Sequence, residues 1–159
     1  MTVDSEKRSI IWDLPDPFTI ELTVGDDDID LYGHTNNAVY LSWCEQVAWA
    51  HSEALGIGWP EYDELQRGMA VRKTQIEYFA PSFANEQVYV ANWIIEADGR
   101  LTATRRYQIC RVNDGATLVR ARSDFVCIDL KSGKPRRMPL IFAETYVVLP
   151  TVQAALEQE

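Results

Sequence analysis

The sequence predicts an α+β fold in which a curved antiparallel sheet wraps around one long central helix. Residues 38–55 contain no Gly or Pro, and their apolar side chains cover most of the helix circumference, as in a helix buried on nearly all sides. The segments after residue 68 are rich in β-formers and are joined by a DG turn at 98–99 and an NDG turn at 113–115. We expect a sheet to cover one part of the helix and a second subunit to cover the rest.

The elements are expected in a simple order along the chain. Residues 18–24 (FTIELTV) alternate apolar and polar side chains, as a half-buried strand does. The central helix begins after an Asn that can cap it, at position 36 or 37, and Gly56 ends it. Pro60 suits the first turn of a short helix at 59–67. Four strands are then predicted at residues 69–79 (with a bulge), 87–96, 101–111 and 117–129.

The last segments and the chain ends are less regular. Residues 131–139 (KSGKPRRMP) are expected to form a basic turn, and residues 140–148 a final strand or a short helix. We interpret residues 1–159 as one domain, with residues 1–17 as a lead-in arm and residues 151–159 as a frayed tail.

Composition excludes several classes of function. The formal net charge is −9, whereas nucleic-acid and anionic membrane surfaces need basic patches, so neither is an expected partner. The three cysteines are widely spaced and odd in number, which favours reduced core thiols over disulfides. The N-terminal residues have no apolar signal-peptide segment, and no run approaches the length of a membrane span. We therefore expect a cytoplasmic protein.

The segment at residues 26–37 combines carboxylates, a glycine turn and a helix start. Asp26, Asp28 and Asp30 are spaced like the start of an EF-hand loop. Leu31 occupies the obligatory Gly position of that loop and Asn37 the position of its last Glu, so the pattern argues against calcium. An acidic loop that is solvated and favours a helix N-terminus remains an alternative to a functional site.

Zinc and glycoside chemistry are also disfavoured. His34 and His51 are the two histidines of the chain, and no ligand cluster accompanies them. Glycosidases need two carboxylates that face each other across a sugar, whereas Asp28 and Asp30 are neighbours on one extended segment. No metal and no cofactor are therefore expected.

Acyl transfer from a thioester fits the segment better. The thiol leaving group has a pKa of about 8.5, so it needs little help from a general acid. A single carboxylate then suffices, acting as a nucleophile or as the base for water. The free N–H groups at residues 36–38, with the helix dipole behind them, can stabilise the oxyanion of the carbonyl group.

These residues also resemble a known family motif. The spaced set DxDxxGHxNNxxYLxxxE is present as Asp28, Asp30, Gly33, His34, Asn36, Asn37, Tyr40, Leu41 and Glu45. It resembles the signature of hotdog-fold acyl-CoA thioesterases of the 4-hydroxybenzoyl-CoA thioesterase type. The similarity continues through residues 55–56 (LG) and 76–86 (IEYFAPSFANE), and the motif also resembles that of plant acyl-carrier-protein thioesterases.

The resemblance assigns roles to three residues. It makes Asp30 the catalytic carboxylate, and it makes position 37 the helix-start residue whose backbone N–H binds the thioester carbonyl. Some relatives have a functional His at that position, where this chain has Asn37. His34 matches a catalytic His of the plant enzymes, although the Asn that accompanies it there is Tyr32 here. Asp30, His34 and Asn37 are therefore the candidate catalytic residues.

Other residues of the segment are given structural interpretations. Asp28 and Glu45 are expected to order the loop or the helix, and Cys44 is expected to be a packed thiol rather than half of a Cys–His pair with His34. Coenzyme A phosphates would need local basic groups, unless the arginines and lysines that follow merely form solvated strand edges. The candidates are Arg105, Arg106, Arg120, Arg122, Lys131, Lys134, Arg136 and Arg137.

The resemblance implies a hotdog-fold thioesterase that hydrolyses an acyl-CoA or acyl-carrier-protein thioester to the acid and the thiol. It also implies a homodimer or homotetramer, because the family places its active sites at the subunit interface. Two alternatives remain: a hotdog enoyl-thioester hydratase, whose Asp–His pattern we do not find, and a non-catalytic acyl-CoA-binding hotdog protein.

Overall fold

A computed structural model of the protein describes residues 10–159; the first nine residues of the expected lead-in arm lie outside the described residues. Its core is a five-stranded antiparallel sheet with the strand order β1-β3-β4-β5-β2. The strands are β1 (Phe18–Thr23), β2 (Arg67–Tyr78), β3 (Gln87–Ala97), β4 (Thr102–Arg111) and β5 (Thr117–Asp129). The α+β architecture is thus the predicted one, and the expected bulge in β2 lies between Val71 and Lys73.

The long helix α1 (Asn37–Ala54) packs against one face of the sheet. The side chains of Tyr40, Trp43 and Val47 are buried with the inward-facing residues of the strands, because one stripe of the helix is turned towards the sheet. The opposite stripe differs from the expected burial on nearly all sides, since Leu41 is 39% and Trp49 54% exposed in the single chain. In the single chain, the sheet therefore covers only one face of this helix.

Within residues 10–159, three short α-helices, α2 (Trp59–Leu65), α3 (Leu140–Thr145) and α4 (Pro150–Leu156), and a 3₁₀ turn at Asp26–Asp28 complete the structure. Residues 140–148 were expected to form a strand or a short helix, and they contain the helix α3. Helix α4 differs from the frayed tail that we expected, because Pro150 starts a helical turn and Val152 is buried. Val152 packs with Leu14 and Trp93 on the outer face of the sheet, so the described part of the arm and the tail cover the same surface.

Candidate active site

The loop before α1 is a small antiparallel hairpin that leads into the helix start. The Asn36 N–H donates to the Asp28 carbonyl at 2.8 Å, and the Asp30 N–H donates to the His34 carbonyl at 2.8 Å. Gly33 lies at the tip with a φ of +80°, a conformation that side chains rarely adopt. In this hairpin the backbones of Asp30 and His34 lie opposite each other, and His34 is two residues before Asn36, the N-cap of α1.

The Asp30 carboxylate is half-buried and contacts its own loop. Its Oδ1 accepts hydrogen bonds from the Tyr32 N–H at 2.8 Å and from the His34 N–H at 3.2 Å. These bonds hold the carboxylate in one orientation, as in an Asx turn. Within residues 10–159, Oδ2 has no hydrogen-bond partner, so one oxygen orders the loop while the other remains available.

The start of α1 leaves one backbone donor unused. Asn36 is the N-cap, since its side-chain oxygen accepts from the Ala38 N–H at 3.0 Å, and its backbone carbonyl accepts from the Val39 N–H at 2.9 Å. The Asn37 N–H has no acceptor among the described residues. It therefore remains an exposed donor at the positive end of the helix dipole.

A buried hydrogen-bond network fixes the hairpin to the helix. The Ser82 hydroxyl lies 2.6 Å from the Thr35 hydroxyl and 2.8 Å from the Tyr40 hydroxyl, and all three side chains are buried. Thr35 belongs to the hairpin and Tyr40 to the first turn of α1, so the network sets the position of the loop relative to the helix. Tyr78, at the end of β2, adds a hydrogen bond from its hydroxyl to the Asn37 carbonyl at 3.2 Å.

The other candidates near this loop have different surroundings. The His34 side chain is exposed and packs edge-on against Phe83, with ring centroids 5.2 Å apart. Cys44 is buried, and burial, together with the charge of Glu45, raises the pKa of its thiol to about 12. It is therefore a neutral core thiol and cannot form an ion pair with His34. Glu45 is exposed on the helix.

A cavity of about 470 Å³ lies between α1 and the sheet. Its lining on α1 extends from Leu41 to Ser52, and strands β2, β4 and β5 form the opposite wall. Asp30, His34 and Asn37 do not line this cavity. Most of the lining is apolar, with Arg105 as its buried basic group.

Arg105 is the residue whose setting our sequence interpretation missed. The sequence offers Arg105 as a CoA-phosphate contact or as part of a solvated strand edge, but its side chain is 5% exposed and points to the helix side of the sheet. The alternation of β4 contained the signal, because the buried Ala103, Tyr107 and Ile109 share its parity and therefore its face. The other strand candidates lie on the outer face and form salt bridges: Arg106 with Glu159, Arg120 with Asp13, and Arg122 with Glu96 and Asp124.

The sequence of the chain matches a known protein family. Residues 24–156 match the profile of the thioesterase-like superfamily, and this segment contains the hairpin, α1 and all of the sheet but β1. The protein belongs to the thioesterase-like superfamily.

Solved structures place this thioesterase-like protein in the hotdog fold. A 1,4-dihydroxy-2-naphthoyl-CoA thioesterase from Synechocystis superposes with a TM-score of 0.74 at 20% identity, covering 82% of this chain and 96% of that one. A hypothetical protein from Staphylococcus aureus, solved in complex with CoA, gives a TM-score of 0.77 at 18% identity, covering 87% and 89%. The predicted hotdog fold, an antiparallel sheet with one long central helix, is confirmed.

A relative of this thioesterase-like protein matches a shorter part of the chain. The chloroplastic acyl-acyl carrier protein thioesterase ATL2 from Arabidopsis thaliana is 32% identical over 62 residues, which is 39% of this chain. The match spans 33% of that protein's length. Within residues 10–159 of the present chain, no helix has the length and hydropathy that a membrane span requires.

Proposed function

We propose that this protein is an acyl-CoA thioesterase that uses the Asp30 carboxylate and the Asn37 N–H to hydrolyse an acyl thioester. The observation that carries the proposal is the unused Asn37 N–H at the start of α1, directly after the hairpin that holds Asp30. Helix-start donors of this kind stabilise a developing oxyanion. The DxDxxGHxNN motif supports the 4-hydroxybenzoyl-CoA thioesterase type within the superfamily.

The chemistry can follow either of two routes. As a general base, Asp30 takes a proton from water while the water oxygen bonds to the carbonyl carbon, and the carbonyl oxygen becomes an oxyanion held by the Asn37 N–H. Collapse of the oxyanion breaks the carbon–sulfur bond, and the departing thiolate takes up the proton to give the thiol. As a nucleophile, the Asp30 carboxylate bonds to the carbonyl carbon, and the carbon–sulfur bond breaks to give a mixed anhydride and the thiolate. Water then hydrolyses the anhydride to the acid and the Asp30 carboxylate, and the thiolate takes up the proton that is released. We include His34 as a proton carrier, supported by its exposed ring opposite Asp30 in the hairpin.

Coenzyme A thioesters are the substrates that we favour, and acyl-carrier-protein thioesters are the second choice. The CoA-bound structural neighbour and the carrier-protein thioesterase of similar sequence support these two choices, respectively. We propose that no cofactor takes part, since the carboxylate and the amide supply both functions that the reaction needs. Three free, buried cysteines fit a reducing compartment, and the cytoplasm is the location that we propose.

We further propose a homodimer, or a tetramer built from dimers. Strand β2 supports this assembly, because it is an edge strand of 12 residues whose outer side has no neighbouring strand in the described chain. Val71 on this strand is 49% exposed, and the open stripe of α1 with Leu41 and Trp49 adds further apolar surface. A second copy could cover both features at once.

The engaged Asp30 Oδ1 favours one alternative, a non-catalytic acyl-CoA-binding protein in which Asp30 only orders the loop. Asp30→Asn distinguishes the two functions, because Asn keeps the oxygen that accepts from Tyr32 and His34 but lacks the charge. Thiol release from a panel of acyl-CoAs should fall by about 10²–10⁴ in this variant, while binding of a non-hydrolysable acyl-CoA thioether is retained. Asp30→Ala, which also loses the loop hydrogen bonds, is the matched control for loop order. Absence of turnover in the wild type across the panel, with retained binding, would favour the binder.

A further inference from the structure

The buried guanidinium of Arg105 has an unusual set of partners. In the His51 tautomer with its proton on Nε2, Nη1 donates to His51 Nδ1 at 2.7 Å. Nη1 also donates to Asn92 Oδ1, and Nη2 donates to Ser52 Oγ at 3.0 Å. Burial and the charge of Arg105 lower the pKa of His51 to about 4, so this imidazole is neutral near pH 7. All three acceptors are therefore uncharged.

No carboxylate among the described residues pairs with Arg105. By contrast, three arginines on the outer face of β4 and β5 each have an acidic partner, although they are more exposed than Arg105: Arg106, Arg120 and Arg122. A buried cation without a counter-ion is costly, because neutral hydrogen bonds replace only part of its lost hydration. The three more exposed arginines are thus paired with carboxylates, whereas Arg105, the most buried of the four, has no counter-ion among the described residues.

Two of the donors of Arg105 are also free. A guanidinium has five N–H groups, and three of them are used by His51, Asn92 and Ser52. The remaining two have no acceptor within residues 10–159. Two N–H groups of one guanidinium can bind both oxygens of a carboxylate.

The cavity above Arg105 has the shape and chemistry of a site for an apolar chain. Its walls include Met69, Ile94 and Phe125, together with Leu41 and Val71, which are exposed in the single chain. The lining positions of α1 from Leu41 to Ser52 extend over about 16 Å at 1.5 Å per residue. Arg105 contacts Ser52, at the end of this wall that is far from the helix start.

We infer that this cavity binds a hydrophobic chain that ends in a carboxylate, with the carboxylate held by Arg105. In terms of the proposed function, on which this step rests, the chain is the distal part of an ω-carboxyacyl thioester whose carbonyl lies near Asn37. A free carboxylic acid offers the same chemistry. The site therefore selects for a terminal negative charge, and the chain length follows from the distance along α1.

The binding test needs no catalysis. Calorimetric titration compares decanoate with decanamide, which has the same shape but no charge. The wild type should bind decanoate at least about tenfold more tightly, as expected for hydrogen bonds to a charged group. Arg105→Met should lose this preference, whereas Arg106→Met, which changes the next residue of the strand on the outer face, should keep it. Equal affinities in the wild type would overturn the inference, whether or not the Met variant folds.

Arg105→Lys provides a second variant that keeps the buried charge. Lysine cannot form the paired N–H contact, so we expect a preference for decanoate between those of the wild type and Arg105→Met. A full preference in Arg105→Met, with the circular dichroism spectrum of the wild type, would contradict the assigned role of Arg105.

Hydrolysis of matched thioesters identifies the source of the carboxylate. Wild-type kcat/KM should be at least about tenfold higher for hexadecanedioyl-CoA than for hexadecanoyl-CoA, and Arg105→Met should remove the difference. Hydrolysis of both without preference, together with equal binding of decanoate and decanamide, overturns the inference and leaves the proposed function intact. A decanoate preference without hydrolysis of either thioester or of any member of the acyl-CoA panel overturns the proposed function and leaves the carboxylate site intact. A decanoate preference with equal hydrolysis of both thioesters overturns the acyl-end assignment and identifies a free acid as the ligand.

Discussion

Replacing Asn37 with proline should remove the proposed oxyanion donor and leave α1 in place. Asn37 is the first residue of the helix, where proline is favoured because its missing N–H would have no partner in the helix. Asn36 has φ −59° and ψ 136°, the extended conformation that suits a residue before proline. The Asn36 side chain still caps the Ala38 N–H, so the helix start keeps its main support.

The expected loss is large in rate and small in stability. Removal of one oxyanion-hole donor lowers kcat by about 10²–10³, or about 2.7–4 kcal/mol. The free energy of unfolding should change by no more than about 0.5 kcal/mol, since no native hydrogen bond is lost. Thiol release under saturating acyl-CoA measures the first quantity, and urea denaturation measures the second.

Asn37→Ala is the matched control, because it keeps the backbone N–H and removes only an exposed side chain. We expect its kcat to stay within about twofold of the wild type, corresponding to less than about 0.5 kcal/mol. If Asn37→Pro folds normally and turns over as fast as Asn37→Ala, the helix-start N–H is not the oxyanion donor, and the start of α1 is not where the carbonyl binds.

Two further predictions concern stability and assembly. Unfolding free energy should fall as the pH drops from about 6.5 towards 4, because His51 stays neutral in the folded chain with a pKa of about 4, while the unfolded chain takes up the proton at about 6.5. Urea midpoints between about pH 7 and pH 5 should show a shallower slope for His51→Gln, and equal slopes would exclude this contribution. Sedimentation equilibrium should give a mass of at least twice the 18.1 kDa of one chain, whereas a monomer at micromolar concentration would contradict the proposed assembly.

Elements with strong local signals were predictable from the sequence. The DG turn at 98–99 forms because Gly99 adopts a φ of +67°, and the Asp98 carboxylate accepts from the N–H groups of the turn. The cap at Asn36 and the bulge in β2 were also expected, since each depends on residues within a few positions. The turn at Gly33 belongs to the same class, because the hydrogen bonds of the hairpin around it join residues two to eight positions apart.

Features that depend on distant partners were not predictable in the same way. Helix α4 has only seven residues, too few for an isolated helix to be stable, and it exists because Val152 packs on Leu14 and Trp93. The interior position of Arg105 depends on which face of β4 meets α1, and its hydrogen bonds reach Ser52, 53 positions away. Arginine side chains are mostly exposed, so an arginine in a strand is usually assigned to the solvent face. In β4 the alternation of inward-facing and outward-facing side chains places Arg105 on the inner face instead.

The roles that we propose for the two ends of α1 are separable. Asn37 lies at the first residue of the helix, and Ser52, which contacts Arg105, lies 15 residues later, or about 22 Å along the axis. Changes that far apart, with no contact in common within the protein, have additive effects on the free energy of unfolding. Loss of the Asp30 charge should therefore act on the chemical step, and loss of the Arg105 charge on the choice of acyl group. A helix with a free N–H at one end and a buried cation near the other can thus fix both the reacting carbonyl and the length of the chain attached to it.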